Sequence, residues 1–144
     1  MIYRPASLAD IAALETIERA QPRCAGWKAA GWQSELKLPA SCVLCAEMAH
    51  QVVGFIALRF TSGVGEIVNV GVAPTHTRQG IGRTLLQQVL SWVRTRGGGR
   101  LSLEVGANNF PAIRLYEQAG FVRVGLRKEF YPGPEDAFVM EIKV

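Results

Sequence analysis

No stretch of the 144 residues approaches the ~20 consecutive apolar positions that a membrane-spanning helix needs. Arg4, Pro5 and Asp10 stand where a secretory signal would need its apolar run, so a soluble, cytoplasmic protein with no membrane partner is expected. Cysteine is scarce and odd in number, and Cys24, Cys42 and Cys45 argue against a disulfide framework. Cys42 and Cys45 do form a C-x-x-C, but Val43 and Leu44 read as strand, and strand residues three apart point to opposite faces. A zinc site would want a second ligand pair, and His50 and His76 show no H-x-x-x-H spacing, so no metal is expected. Charge of one sign is lacking too. A net +4 favours an anionic ligand somewhere without demanding nucleic acid. The densest basic run, Arg94 to Arg100, carries no interleaved aromatic for base stacking and reads as a helix end followed by a turn. No nucleic-acid partner is expected.

What is present is the balance of a folded enzyme-sized domain, with 49% hydrophobic and 19% charged residues and no repeat or linker to divide residues 1–144. Met1 to Pro5 reads as a strand. Ser7 reads as a helix N-cap with Asp10 three residues on, ahead of Ile11, Leu14 and Ile17 at helical spacing. A second, weaker helix runs from about Trp27 to Leu36. Strands follow near Val43–Glu47, Val52–Phe60 and Glu66–Val72, with His50 and Gln51 in one turn and Gly63 to Gly65 in the next. The clearest helix begins near Gln79, where Ile81, Leu85, Leu86, Val89, Leu90 and Val93 make one apolar stripe that Gly97 to Gly99 ends. Leu101 to Val105 alternates as a strand, leucines on one face and Ser102 and Glu104 on the other. A short helix from about Phe110 to Gln118 stops at Gly120. Strands near Phe121–Arg127 and Ala137–Lys143 flank a Pro132-Gly133-Pro134 turn. The order predicts an α/β fold: a mixed sheet of about seven strands, with about four helices on its faces.

The segment from Asn69 to Arg83 is the most informative. It runs strand, turn, glycine-rich loop, helix. Gly80 and Gly82 remove side chains where N–H groups at a helix start must approach a ligand closely. Orphan N–H groups and the helix dipole there favour phosphate oxygens, and Arg78 and Arg83 add charge at the same place. A glycine-containing turn that merely starts a helix is the plain alternative. The nucleotide-hydrolase loop G-x-x-x-x-G-K-[ST] is absent, and the dinucleotide fingerprint would need a glycine where Leu85 stands.

Arg78-Gln79-Gly80-Ile81-Gly82-Arg83, after a strand end Val70-Gly71-Val72-Ala73-Pro74, resembles the acetyl-CoA loop of the GNAT superfamily of N-acetyltransferases. Thr77 stands where that family usually has Gln or Arg. The resemblance continues through Leu103-Glu104-Val105, Asn109, Ala112-Ile113, Leu115-Tyr116-Glu117, Gly120-Phe121 and Glu135-Asp136-Ala137, and there it is similar to the RimI-type branch. Gly106 replaces the arginine usual after L-E-V, Phe130-Tyr131 stands where two tyrosines are common, and Cys24 to Trp32 is a loose match to the substrate-side element.

The resemblance implies a GNAT-like single-domain fold, acetyl-CoA as co-substrate, and an acceptor that is the N-terminal α-amine of a protein, of the ribosomal-protein alanine type. It implies cofactor contacts from Val70, Gly71 and Val72, from the loop Arg78, Gln79, Gly80, Ile81, Gly82 and Arg83, and from Asn109, which can equally be the N-cap of its helix. A bulge within Val70 to Val72 would free backbone N–H groups, that of Val72 polarising the thioester carbonyl. Gly71 fits such a bulge, or a packing accommodation. Glu104 resembles the general base, against the alternative of a solvent-facing strand carboxylate. The base has to remove a proton held with pKa ~8 on an α-ammonium, against ~10.4 on lysine. Tyr116 resembles the general acid, against the alternative of a core tyrosine. A phenol near pKa ~10 protonating a thiolate near ~8.5 is uphill by roughly 2 kcal/mol, so hydrogen bonding is its expected contribution. Two rival readings are a small-molecule amine acetyltransferase and a non-catalytic acyl-CoA module, the latter disfavoured by having both Glu104 and Tyr116.

Overall fold

The computed structural model describes residues 1–21, 24–131 and 135–144. The chain opens with β1 (Ile2–Pro5), and a single 3-10 turn at Leu8–Asp10 leads into α1 (Ile11–Ala20). The Ser7 backbone N–H donates to Asp10 Oδ2 at 2.7 Å, closing the turn as the sequence predicts. Arg4 then bonds both Asp10 oxygens at 2.8 and 2.9 Å and Glu47 Oε1 at 2.9 Å, tying α1 to the sheet. The Arg4 hydrogen bonds hold the Asp10 carboxyl below the usual carboxylate range, against the opposing effect of burial.

After α2 (Lys28–Lys37) come β2 (Ser41–Met48), β3 (Gln51–Thr61) and β4 (Val64–Val72). The first hairpin turn falls one residue earlier than the sequence predicts, and the second is one residue shorter. Met48 pairs Gln51 and Thr61 pairs Val64, which leaves two-residue loops at Ala49–His50 and Ser62–Gly63 with positive φ at every position. That geometry matches the twist of the flanking strands and outweighs the cost of left-handed Ala, His and Ser. Gln51 and Gly65 therefore belong to strands, not turns.

The remaining elements are α3 (Ile81–Thr95), β5 (Arg100–Gly106), α4 (Phe110–Ala119), β6 (Val122–Tyr131) and β7 (Glu135–Lys143). The predicted turn at Pro132-Gly133-Pro134 lies outside the described residues. Helix α3 starts at Ile81, not Gln79, because Gly80 holds a left-handed φ of +80° that a helix cannot contain.

Among the described residues the sheet has seven strands in the order β1-β2-β3-β4-β5-β7-β6, antiparallel except where β4 meets β5. Successive residues of β3 serve opposite layers. Phe55 and Ala57 join Leu14, Ile17, Trp32, Val43 and Cys45 beneath α1 and α2, whereas Ile56 and Leu58 join the core beneath α3 and α4. The C-x-x-C divides in the same way, Cys45 in the first core and Cys42 against the second, as strand alternation requires.

The parallel pair is short. Val64, Gly65 and Glu66 register with Arg100, Leu101 and Ser102, and no further β4–β5 register is present among the described residues. Beyond Glu66 the two strands part, and the sheet splits at its middle.

Candidate active site

The split opens into a cleft of about 480 Å³ that passes between Val70–Val72 of β4 and Glu104–Gly106 of β5. It is bordered by the loop before α3 and by the first turns of α4. Val70, Gly71, Val72, Arg78, Gly80, Ile81, Gly82, Arg83, Glu104, Asn109 and Tyr116 all line it. Gln79 is exposed and does not.

At the helix end, Arg78 (φ +62°) and Gly80 (φ +80°) both adopt left-handed backbone. No side chain caps Gly80, and Thr84 makes the first helical hydrogen bond back to the Gly80 carbonyl at 3.0 Å. The N–H groups of Ile81, Gly82 and Arg83 thus precede the helical ladder and have no intrahelical acceptor. With the helix dipole and two arginines beside them, they form a concave array of donors suited to a phosphate or pyrophosphate. Gly80 is needed for its backbone angle, since a Cβ there would meet nothing within 4 Å.

At the split itself, the bulge expected within Val70–Val72 lies earlier. Ala57 registers with Asn69 and Leu58 with Ile67, so Val68 is the extra residue. Gly71 registers with Phe55 and is small for packing, because a Cβ would come within 2.9 Å of the Phe55 ring and 3.0 Å of Cys24 Sγ. Ala73 donates its N–H to Val53 on β3 at 2.8 Å. Alternation then turns the N–H and C=O groups of Val72 and Val70 away from β3 and into the split. Two of these groups are taken by the chain itself: Gln21 Nε2 donates to the Val72 carbonyl at 2.7 Å, and the Cys24 thiol donates to that of Val70 at 3.2 Å. Burial, reinforced by the charge of Glu18, pushes the Cys24 thiol up to about 12, so it stays a protonated donor.

The wall of the cleft next to Val70 has an organiser that the sequence reading missed. Glu18, 6% exposed, accepts hydrogen bonds from Gly26 N–H (2.8 Å), Trp27 N–H (3.1 Å), Trp32 Nε1 (2.7 Å) and Asn69 Nδ2 (2.8 Å). Asn69 Oδ1 in turn accepts from the Ala25 N–H at 3.1 Å. The segment from Cys24 to Trp27 is thereby fixed against β4 just below Val70. The signal was present: Glu18 follows Leu14 and Ile17 on the buried stripe of α1, where a carboxylate needs partners.

Tyr116 is 6% exposed on α4, with its ring tilted against Phe121 at 5.7 Å between centroids. Asn109 occupies the N-cap of α4, yet its side chain makes no capping bond. Glu104 points to the face opposite Leu101, Leu103 and Val105 and forms an ion pair with Arg127 of β6.

A profile of the acetyltransferase (GNAT) family matches residues 8–121. The chain belongs to the GNAT family. It is 41% identical over 81 residues to the ribosomal protein bS18-alanine N-acetyltransferase of Escherichia coli K12, a match covering 54% of this chain and 55% of that protein, about half its length. It is 34% identical over 119 residues to the N-alpha-acetyltransferase RimI of Mycobacterium tuberculosis, covering 79% of this chain and 73% of that one. The crystal structure of the ribosomal-protein-S18-alanine N-acetyltransferase from Escherichia coli superposes with a TM-score of 0.90 at 28% identity, covering 99% of this chain and 93% of the other. The α/β fold with a split seven-stranded sheet is the GNAT fold.

Proposed function

We propose that the protein transfers the acetyl group of acetyl-CoA to an amine, the N-terminal α-amine of a protein of the ribosomal alanine type. One observation carries this reading: the same cleft has a phosphate-suited donor array at one end and a carboxylate, Glu104, at the other, and between them runs the stretch of β4 that has parted from β5. The named RimI-type relatives favour the protein α-amine over a small-molecule amine.

In this reading the N–H groups of Ile81, Gly82 and Arg83 hold the pyrophosphate, and Asn109 contacts the pantetheine arm. The bound cofactor supplies an activated thioester carbonyl. The Val72 N–H, aimed into the split, donates to that carbonyl oxygen as negative charge develops on it. Glu104, directly or through water, takes a proton from the acceptor ammonium, which is about one-tenth neutral at pH 7 for a pKa of ~8. The neutral amine nitrogen bonds the carbonyl carbon, the carbon–sulfur bond breaks, the nitrogen's remaining extra proton passes to the departing thiolate to give the CoA thiol, and the Tyr116 hydroxyl supports that thiolate by hydrogen bonding.

The test is CoA release from an alanine-initiated ribosomal-type peptide, its N-blocked lysine-containing counterpart, and free alanine. The open peptide should give the highest kcat/KM. Parity with the blocked peptide or with free alanine would replace the N-terminal reading by a lysine or small-amine one. Glu104→Gln should lower turnover by roughly a hundredfold or more near neutral pH and recover partly as pH rises.

A further inference from the structure

The ion pair between Glu104 and Arg127 joins strands that are not neighbours, since β7 lies between β5 and β6. Glu104, Val139 and Gly125 register in one lateral row, and Gly106, Ala137 and Arg127 in the next. Two strand spacings amount to roughly 10 Å, a gap that only a long side chain can cross. Gly106 offers no side chain and Ala137 only a methyl, so Arg127 has an open lane over them to the Glu104 carboxylate. The face they share continues the layer that α1 and α2 cover elsewhere.

We propose that Arg127 is a positioning residue that holds the Glu104 carboxylate in place beside the cleft and lowers the pH at which a bound acceptor amine becomes reactive. This rests on the proposed role of Glu104 as the base. A lone carboxylate in the cleft would favour the acceptor as a tightly held ammonium, which cannot attack. The guanidinium makes the seat close to neutral, which weakens that preference and lets the bound nitrogen give up its proton at a lower pH. Among the described residues, the other charged or titratable groups about the cleft are placed differently, His76 lining it beside the loop before α3. Arg100 and Glu141 pair with each other at 3.6 Å further down the face. Glu135 accepts the Asn108 N–H at 2.8 Å. The Cys24 thiol is held protonated, and Arg78 and Arg83 stand at the phosphate end.

The side chains of Glu104 and Arg127 are 27% and 55% exposed, so solvent screens the pair and the effect is moderate. The experiment follows kcat against pH with the alanine-initiated peptide in wild type, Arg127→Gln, Arg127→Met and Arg127→Lys. In both neutral variants the acidic limb should move up by about half to one pH unit, a loss of about three- to tenfold below it. Arg127→Lys should return the limb toward wild type, and acetyl-CoA affinity should not change in any of them. A merely structural arginine would change the amount of active enzyme without moving the limb, so an unmoved limb in the neutral variants overturns the proposal. A Glu104→Gln enzyme with full activity and an unchanged profile overturns the base reading and this inference with it. A crippled Glu104→Gln enzyme beside an unmoved limb overturns this inference alone.

Discussion

At the α3 end of the cleft, the groups that face inward are backbone N–H groups of consecutive residues, Ile81 to Arg83, presented by a helix that begins at a left-handed glycine. At the Glu104 end they are side chains: Gln21 and Cys24 from beyond α1 and Glu104 from β5, the last paired behind the cleft with Arg127 of β6. The first kind of site needs only a short stretch of chain and the direction of a helix. The second kind needs most of the sheet assembled, because Glu18 and Asn69 meet across 51 positions and Glu104 and Arg127 across 23. A local site of donors suits a ligand that is the same in every turnover, and a composite one can be re-cut for a different acceptor without disturbing it.

Three substitutions test this division, the largest effect first. Glu18→Gln replaces one accepting oxygen by an amide that can only donate, leaving at least one of four donors stranded in a buried place. It should cost about 2 kcal/mol in urea unfolding and raise the acceptor KM. Acetyl-CoA affinity should stay within about twofold, under 0.5 kcal/mol. Equal damage to both ligands would mean that the two ends are not separable. Gly80→Val should do the converse. A β-branched residue at φ +80° distorts the loop, and acetyl-CoA binding by calorimetry should weaken at least tenfold, about 1.4 kcal/mol. Unchanged binding by a folded variant would remove the loop from the cofactor site.

The smallest effect is on pH. Asp10 has a folded-state pKa depressed by Arg4, so its contribution to stability is complete above the unfolded value of ~3.9 and is lost as pH falls through the folded one. Asp10→Asn should cost about 1 kcal/mol near neutrality and flatten the acid end of the stability curve. A curve as steep as wild type would show that other carboxylates govern the anchoring of α1.

The same division explains what the sequence made legible. The α3 stripe and the alternation of β5 are short-range patterns, and of the residues they predicted Ile81, Leu85, Leu86, Val89, Val93, Leu101, Leu103 and Val105 are buried, with Leu90 half-buried. The loop from Arg78 to Arg83 is equally local, and every residue named in it except Gln79 borders the cleft. Boundaries shifted where backbone conformation decided them, at the two-residue hairpin turns and at Gly80. The bulge moved from Val70–Val72 to Val68 because its position depends on register with β3, which no single strand records. Arg127 was invisible for the same reason. It matters only through two strand pairings and the small size of Gly106 and Ala137.

Glu18 has one more consequence, for motion. Among the described residues its donors come from the chain before α2, from α2 and from β4, and none of these carries a positive charge. The wall from Cys24 to Trp27 cannot swing outward without parting a buried carboxylate from these donors, which makes its opening costly. The Gly26 and Trp27 amides should accordingly rank with core amides in hydrogen exchange. A wall of that kind is a fixed template and not a hinged flap. Under the proposed function, such a template would sort acceptors by whether they fit on arrival, before any closure can compensate for a poor match.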